Sequence, residues 1–276
     1  MKKYCFYNGE IIDFDDVSIR ADDLGFLRGY GVFEVLRTFF SKPFLLDWHL
    51  DRFESSLMIL GIEKTPSREE IVSQIDKLIN LFPGKDVTLR IIATGGKSPD
   101  SFSFVSGDPT FLIIVEEVVE LDNSLYQNGV ALFPIEYERA LPKAKTLNYI
   151  LPIKIKAEKE KEGFFDILCT SGDLVLESST SNFFLIKDGS LITAKEGVLM
   201  GTTRRFVMDI SQMNIEERDI KFDELKSADE AFITATNKDI IPVNRVGSIT
   251  IGDGQVGDIT KRLMTIFKEK VKEYVD

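Results

Sequence analysis

Lys145 stands in Ala144-Lys145-Thr146-Leu147-Asn148-Tyr149, and a lysine amine, once neutral, can hold an aldehyde as a Schiff base. Glu177 opens the stretch Glu177-Ser178-Ser179-Thr180-Ser181-Asn182-Phe183-Phe184. A carboxylate of this kind can keep a heteroaromatic ring nitrogen protonated. Leu199-Met200-Gly201-Thr202-Thr203-Arg204 then places two hydroxyls at the start of a helix, where amides and hydroxyls bind phosphate. An amine, a carboxylate and a phosphate cradle are what pyridoxal 5′-phosphate requires of a protein. Each segment has a plainer reading alone: a surface lysine, a strand-end glutamate, a solvated turn, a helix cap. Their order favours chemistry, because a strand, the lysine, a helix, a hairpin arm ending in Glu177 and a glycine-led helix start follow one another.

Other chemistries have less to work with. His49 is the only histidine, which disfavours histidine-dependent triads and most histidine metal clusters. Cys5 and Cys169 are the only cysteines; they form no CxxC pair and read as core residues. A formal net charge of −11 repels phosphate backbones and anionic membrane surfaces, so no nucleic-acid or membrane partner is expected. The start turns polar too early for a signal peptide and no apolar run approaches a membrane span, so a cytoplasmic protein is expected. Thr94-Gly95-Gly96-Lys97-Ser98 is no phosphate loop, because Ile91 stands where that motif needs glycine.

The elements that must position these residues follow from period and punctuation. Tyr4–Tyr7 and Ile11–Ile12 read as a hairpin turned at Asn8-Gly9, and 31–40 as a strand. Asp47 is expected to cap a helix with Leu50, Phe53, Leu57 and Leu60 on its buried face, ending at Gly61. Ser67 is expected to cap another, with Glu70 as in a capping box and Ile71, Ile75, Leu78 and Ile79 buried. Strands are expected at 87–93, 110–115, 130–137, 164–168, 174–176 and 231–236, with a hairpin over 183–193 turned at Asp188-Gly189. Helices are expected over 148–162, 202–213 and 256–274. The fold class is α+β. Residues 1–118 are expected to form an N-terminal α+β domain, 119–129 an interdomain linker and 130–276 a C-terminal domain that binds the cofactor.

With the motifs in place, nearly the whole chain resembles the class IV (fold-type IV) pyridoxal phosphate enzymes, the group of branched-chain and D-amino-acid aminotransferases and 4-amino-4-deoxychorismate lyase. Asp23-Leu24-Gly25-Phe26 with Gly29-Tyr30-Gly31-Val32-Phe33-Glu34 is similar to the family's N-terminal signature. Trp48-His49-Leu50-Asp51-Arg52-Phe53 resembles its helix with a phosphate-binding arginine, and 229–236 resembles the strand that ends at the phosphate. The resemblance implies that Lys145 binds the cofactor and moves the proton, and that Glu177 pairs with the ring nitrogen. It implies that Arg52, Thr202, Thr203 and Thr236 share the phosphate, and that Tyr149 donates to the ring hydroxyl from one residue closer to the lysine than in branched-chain enzymes. His49 is implied to support the arginine. It implies a cofactor between two domains, and a homodimer.

The substrate is implied less directly. Arg90 stands where D-amino-acid aminotransferases carry a tyrosine, Arg28 replaces an aromatic residue of branched-chain enzymes, and Asp100 and Phe102 replace the arginine and histidine that hold a D-substrate's carboxylate. A D-amino-acid specialist is thereby disfavoured. Arg28, Phe33 and Arg90 are the expected substrate residues, with an amino acid and a 2-oxo acid as small-molecule partners. The expected activity is amino-group transfer of a branched-chain-like kind. The alternatives are a lyase that releases pyruvate from 4-amino-4-deoxychorismate, and a non-catalytic protein that kept the fold.

Overall fold

A computed structural model describes residues 2–275, and these divide into two compact units. The first runs to Val119 and also takes Ala144–Asn148 and the chain from Tyr274 on; the second holds Glu120–Lys143 and Tyr149–Glu273. The architecture is α+β. The stretch expected as a linker carries a helix and, past Val119, belongs to the second unit.

In the first unit, β1 (Lys3–Tyr7) and β2 (Glu10–Asp13) pair through Asn8 and Gly9, both at positive φ, the type I′ geometry that matches strand twist. Then come α1 (Leu24–Arg28), β3 (Gly31–Phe39), β4 (Lys42–Pro43), α2 (Leu46–Leu60), α3 (Arg68–Ile79), β5 (Val87–Thr94) and β6 (Phe111–Glu117). The antiparallel sheet is ordered β2-β1-β6-β5-β3-β4. Alternation along the strands buries Val32, Leu36, Leu89, Ile91, Ile113 and Val115 against the helix residues Phe53, Leu57, Ile71 and Ile75. The other face of β3 and β5 carries Phe33, Val35, Arg90 and Ile92, with Val35 opposite Arg90 and Phe33 opposite Ile92. Asp47 does not cap α2. Leu45, at φ 54°, occupies the cap position, and Asp47 lies in the first turn, where a negative charge suits the helix dipole. Ser67 does cap α3, its Oγ accepting from Glu70 N at 3.2 Å.

The second unit contains α4 (Asn123–Asn128), β7 (Val130–Glu136), α5 (Ile150–Lys159), β8 (Asp166–Ser171), β9 (Leu174–Ser178), β10 (Asn182–Lys187), β11 (Ser190–Thr193), α6 (Thr202–Ser211), β12 (Asn214–Glu217), β13 (Ile220–Lys221), β14 (Glu230–Ala235), β15 (Asp239–Val246), β16 (Ile249–Thr250) and α7 (Asp258–Val275), whose last residues group with the first unit. The sheet runs β12-β11-β10-β14-β15-β7-β8-β9-β13, and an additional pairing joins β9 to β10. That pairing is Asn182 opposite Glu177, and it closes a ring of six strands. The carboxylate singled out from sequence therefore sits where a barrel closes on itself. Sequence patterning missed β15 because Pro242 interrupts it; the strand tolerates the proline next to a bulge between Val243 and Arg245.

Candidate active site

Lys145 belongs to a short segment that pairs with β3 near its start. Phe33 N donates to Lys145 O at 2.9 Å, Leu147 N donates to Gly31 O at 3.0 Å, and Thr146 bridges Val32. From the other side, Lys145 N donates to Ser56 Oγ at 3.1 Å, and that hydroxyl donates to Arg52 O at 2.8 Å. The lysine backbone is thus pinned to strand and helix at once. Its side chain is buried, and Nζ lies 4.6 Å from the centre of the Phe33 ring. An amine against an aromatic face gives up hydration for a weaker cation–π contact.

Behind this segment lies a buried charge cluster that sequence reading did not resolve. Glu34 is wholly buried, and its carboxylate takes Arg52 as a fork, Nη2 to Oε1 at 2.6 Å and Nε to Oε2 at 2.9 Å. His49 Nδ1 stands 3.0 Å from the same Oε1, and Val35 N donates to it at 2.9 Å. Burial alone would raise the Glu34 pKa, but Arg52 and His49 more than offset it and hold the carboxyl well below the usual range. Burial, with the nearby charges of Arg52 and Lys145, lowers His49 further than Glu34 raises it, so the imidazole is neutral at neutral pH. His49 thus touches the carboxylate that holds the arginine from behind.

The second unit brings together another set. Glu177 Oε2 accepts from Leu199 N at 3.1 Å and Asn182 Nδ2 at 3.3 Å, and Oε1 forms an ion pair with Arg139 Nε at 2.8 Å. Asn182 Nδ2 also donates to Leu199 O at 2.7 Å. This ties Glu177 to the loop that leads into α6. Gly201 is the cap residue of α6, and no side chain caps it; a Cβ there would come within 2.0 Å of Asn182 Oδ1. Thr202 and Thr203 are buried in its first turn. Tyr149 occupies the cap position of α5, and its hydroxyl accepts from Arg139 Nη1 at 3.0 Å.

Thr236 follows β14, two residues before Lys238. Lys238 is buried and its Nζ donates to Thr180 Oγ1 at 2.7 Å and Ser181 Oγ at 3.0 Å, with Asp166 Oδ2 at 3.5 Å. Burial lowers its pKa despite the opposing pull of Asp166. Arg139, Lys238 and Asp166 escaped sequence reading because each is a lone charge in no motif; only barrel closure gathers them around the Glu177 turn. Arg28 ends α1 exposed, its Nη1 donating to Leu27 O at 2.9 Å. None of its described hydrogen bonds reaches Lys145 or Phe33. Among the described residues no His, Cys, Asp or Glu cluster suits a metal, and no helix is long and apolar enough to cross a membrane.

These donor sets fit pyridoxal phosphate: an amine on an aromatic face, a buried carboxylate beside an arginine, and a helix start carrying two threonines. The model of the amino-transferase class IV family matches residues 31–246, and the chain belongs to that family. Enzymes of this family use pyridoxal 5′-phosphate. The chain is 29% identical to a D-alanine aminotransferase of Bacillus licheniformis over 96% of both chains. It is 31% identical to an aminodeoxychorismate lyase of Bacillus subtilis, over 98% of this chain and 95% of that one. The branched-chain amino acid aminotransferase of Escherichia coli shares its fold at a TM-score of 0.90 and 22% identity, covering 100% of this chain and 97% of the other. The fold is the one carried by fold-type IV aminotransferases.

Proposed function

We propose that this enzyme transfers an amino group between an amino acid and a 2-oxo acid, with an amino donor whose side chain is small or medium-sized and apolar, branched-chain-like in character. The observation that carries this reading is the Lys145 amine lying over Phe33, on a sheet face where Val35 and Ile92 are apolar neighbours and Arg90 is a cation. Such a face offers a substrate one carboxylate partner and an apolar wall.

Bound pyridoxal phosphate supplies an aldehyde that condenses with amines and a ring that withdraws electrons. In this reading Lys145 Nζ would hold the cofactor and, as a free amine, take and return the proton at the substrate Cα. Glu177, held by Leu199 N and Asn182 at one oxygen and by Arg139 at the other, would keep a proton on the ring nitrogen. Tyr149 donates its hydroxyl proton to the ring oxygen, since it accepts from Arg139. Thr202, Thr203 and Thr236 donate to the phosphate; Arg52, steered by Glu34, adds charge. Arg90 holds the substrate carboxylate, and the exposed Arg28, whose Nη1 donates to Leu27 O, takes a lesser role. We also propose a homodimer.

Lyase chemistry is a second reading, favoured by Arg90 itself and by the 31% identical lyase. Purified protein should be yellow, and L-amino acids, D-amino acids and aminodeoxychorismate should be scored by the cofactor half-reaction and by pyruvate release. Branched-chain L-amino acids are expected to turn over. Pyruvate from aminodeoxychorismate alone would establish the lyase instead.

A further inference from the structure

Arg139 joins two segments that the sequence keeps apart, Tyr149 at the start of α5 and the turn at Glu177–Ser179. Its Nε faces Glu177 Oε1 at 2.8 Å, Nη1 donates to Tyr149 OH at 3.0 Å, and Nη2 donates to Ser179 O at 2.8 Å. The guanidinium also stacks on Tyr149, 4.8 Å from the ring centre. The two charged side chains are only 12% and 4% exposed, so solvent screens the pair little. Burial opposes the guanidinium charge, and Glu177 and Tyr149 together more than restore it, so Arg139 stays a cation.

We propose that Arg139 is a positioning residue for the cofactor ring, its planar fork fixing the Glu177 carboxylate and the Tyr149 hydroxyl relative to each other. The inference rests on the functional reading above, in which Glu177 meets the ring nitrogen and Tyr149 the ring oxygen. These two atoms lie at different edges of one rigid heterocycle, so the protein groups that meet them must keep a fixed separation. A guanidinium provides that, because its donors diverge in one plane at set angles. It also sets the direction of the Tyr149 proton, because a phenol that accepts from a cation is turned to donate elsewhere. An ammonium in its place would keep the charge beside Glu177 but could not also reach the Tyr149 hydroxyl and the Ser179 carbonyl at the angles a planar guanidinium does.

Arg139→Lys separates these roles. The turn after Glu177 is braced independently, by Lys238 on Thr180 and Ser181 and by Asp166 Oδ1, which accepts from Ser179 Oγ at 2.6 Å. The lysine variant is therefore expected to keep its far-UV circular dichroism. Wild type, Arg139→Lys, Tyr149→Phe and the double variant would be loaded with pyridoxal phosphate, and the absorbance of the bound cofactor titrated against pH. Loss of one donor to the ring oxygen destabilises the deprotonated chromophore. The midpoint should therefore rise by about half a unit to one unit, the size of one hydrogen bond. Arg139→Lys and Tyr149→Phe should each show this rise, and the double variant should go no further than Tyr149→Phe. The pyridoxal phosphate dissociation constant, measured by equilibrium dialysis, should increase about tenfold in Arg139→Lys. A lysine variant that melts lower yet titrates and binds as wild type would show a merely structural arginine and overturn the inference alone. Wild-type protein that takes up no pyridoxal phosphate would overturn the functional reading and this inference with it.

Discussion

At the scale of single residues, the proposed chemistry depends first on Lys145: Lys145→Ala should abolish the protein-bound cofactor absorbance and turnover together, because no other amine occupies this point of the motif. Full activity in that variant would reassign the lysine. Glu34 is less visible, since it touches Arg52 and His49 and no substrate role is assigned to it. Glu34→Gln leaves the arginine and the imidazole facing a neutral amide in a buried site, and breaking a buried pair of this kind costs about 3–5 kcal/mol. The sign of its pH dependence follows from a depressed folded pKa. The carboxylate stabilises fully above the unfolded value and loses that contribution as pH falls toward the folded one. His49, also depressed, works in the same direction from its unfolded value downward. Urea unfolding should therefore show the wild-type advantage over Glu34→Gln intact at pH 7 and shrinking in acid below about 4.5. An advantage that grew on acidification would contradict the cluster as described.

At the scale of elements, most of what positions the site was legible in the sequence, and what was not has physical causes. The Asn8-Gly9 and Asp188-Gly189 turns were readable because only residues that accept positive φ fit them. The α3 stripe was readable because one helix face must be apolar to pack. Asp47 misled because a capping residue type two positions past the true cap has the same composition signal; Leu45 takes the left-handed turn instead. The barrel closure was invisible because it is a single pair, Asn182 with Glu177, set by tertiary pairing rather than local pattern. Of the candidate site, Lys145, Glu177 and the α6 threonines stand in readable motifs, whereas Arg139 and Lys238 do not, since a lone cation in a loop carries no periodic signal. Gly201 joins the two levels. Its φ of −67° suits any residue, but a methyl there would strike Asn182 Oδ1. Gly201→Ala is accordingly expected to displace Asn182 from Glu177 and weaken pyridoxal phosphate binding by about tenfold, roughly one lost charge-assisted hydrogen bond, with little change in helix content. Wild-type cofactor affinity would show that the loop gives way without consequence.

At the scale of the whole molecule, a helix with its apolar residues outward needs a reason. On α5, Ile150 is 80% and Ile153 65% exposed, with Leu151 also open. Exposed aliphatic side chains gathered on one short helix suit a surface that another chain covers, and in the homodimer proposed for this enzyme a second copy would be that chain. The chain carries a formal charge of −11, so two copies would repel each other at long range while an apolar contact held them at short range. These two effects respond oppositely to salt. Screening at about 0.15 M, where the Debye length is about 8 Å, removes much of the repulsion and leaves burial of apolar surface untouched. Light scattering should therefore give twice the 31.2 kDa chain mass, with the dimer tightening as salt rises from low ionic strength. Ile153→Lys should weaken association at least tenfold, because it places a charge in the covered patch. A fully active monomer at every salt concentration would remove the dimer, and a dimer that loosened with salt would move the contact from the α5 face to an ion-paired surface elsewhere.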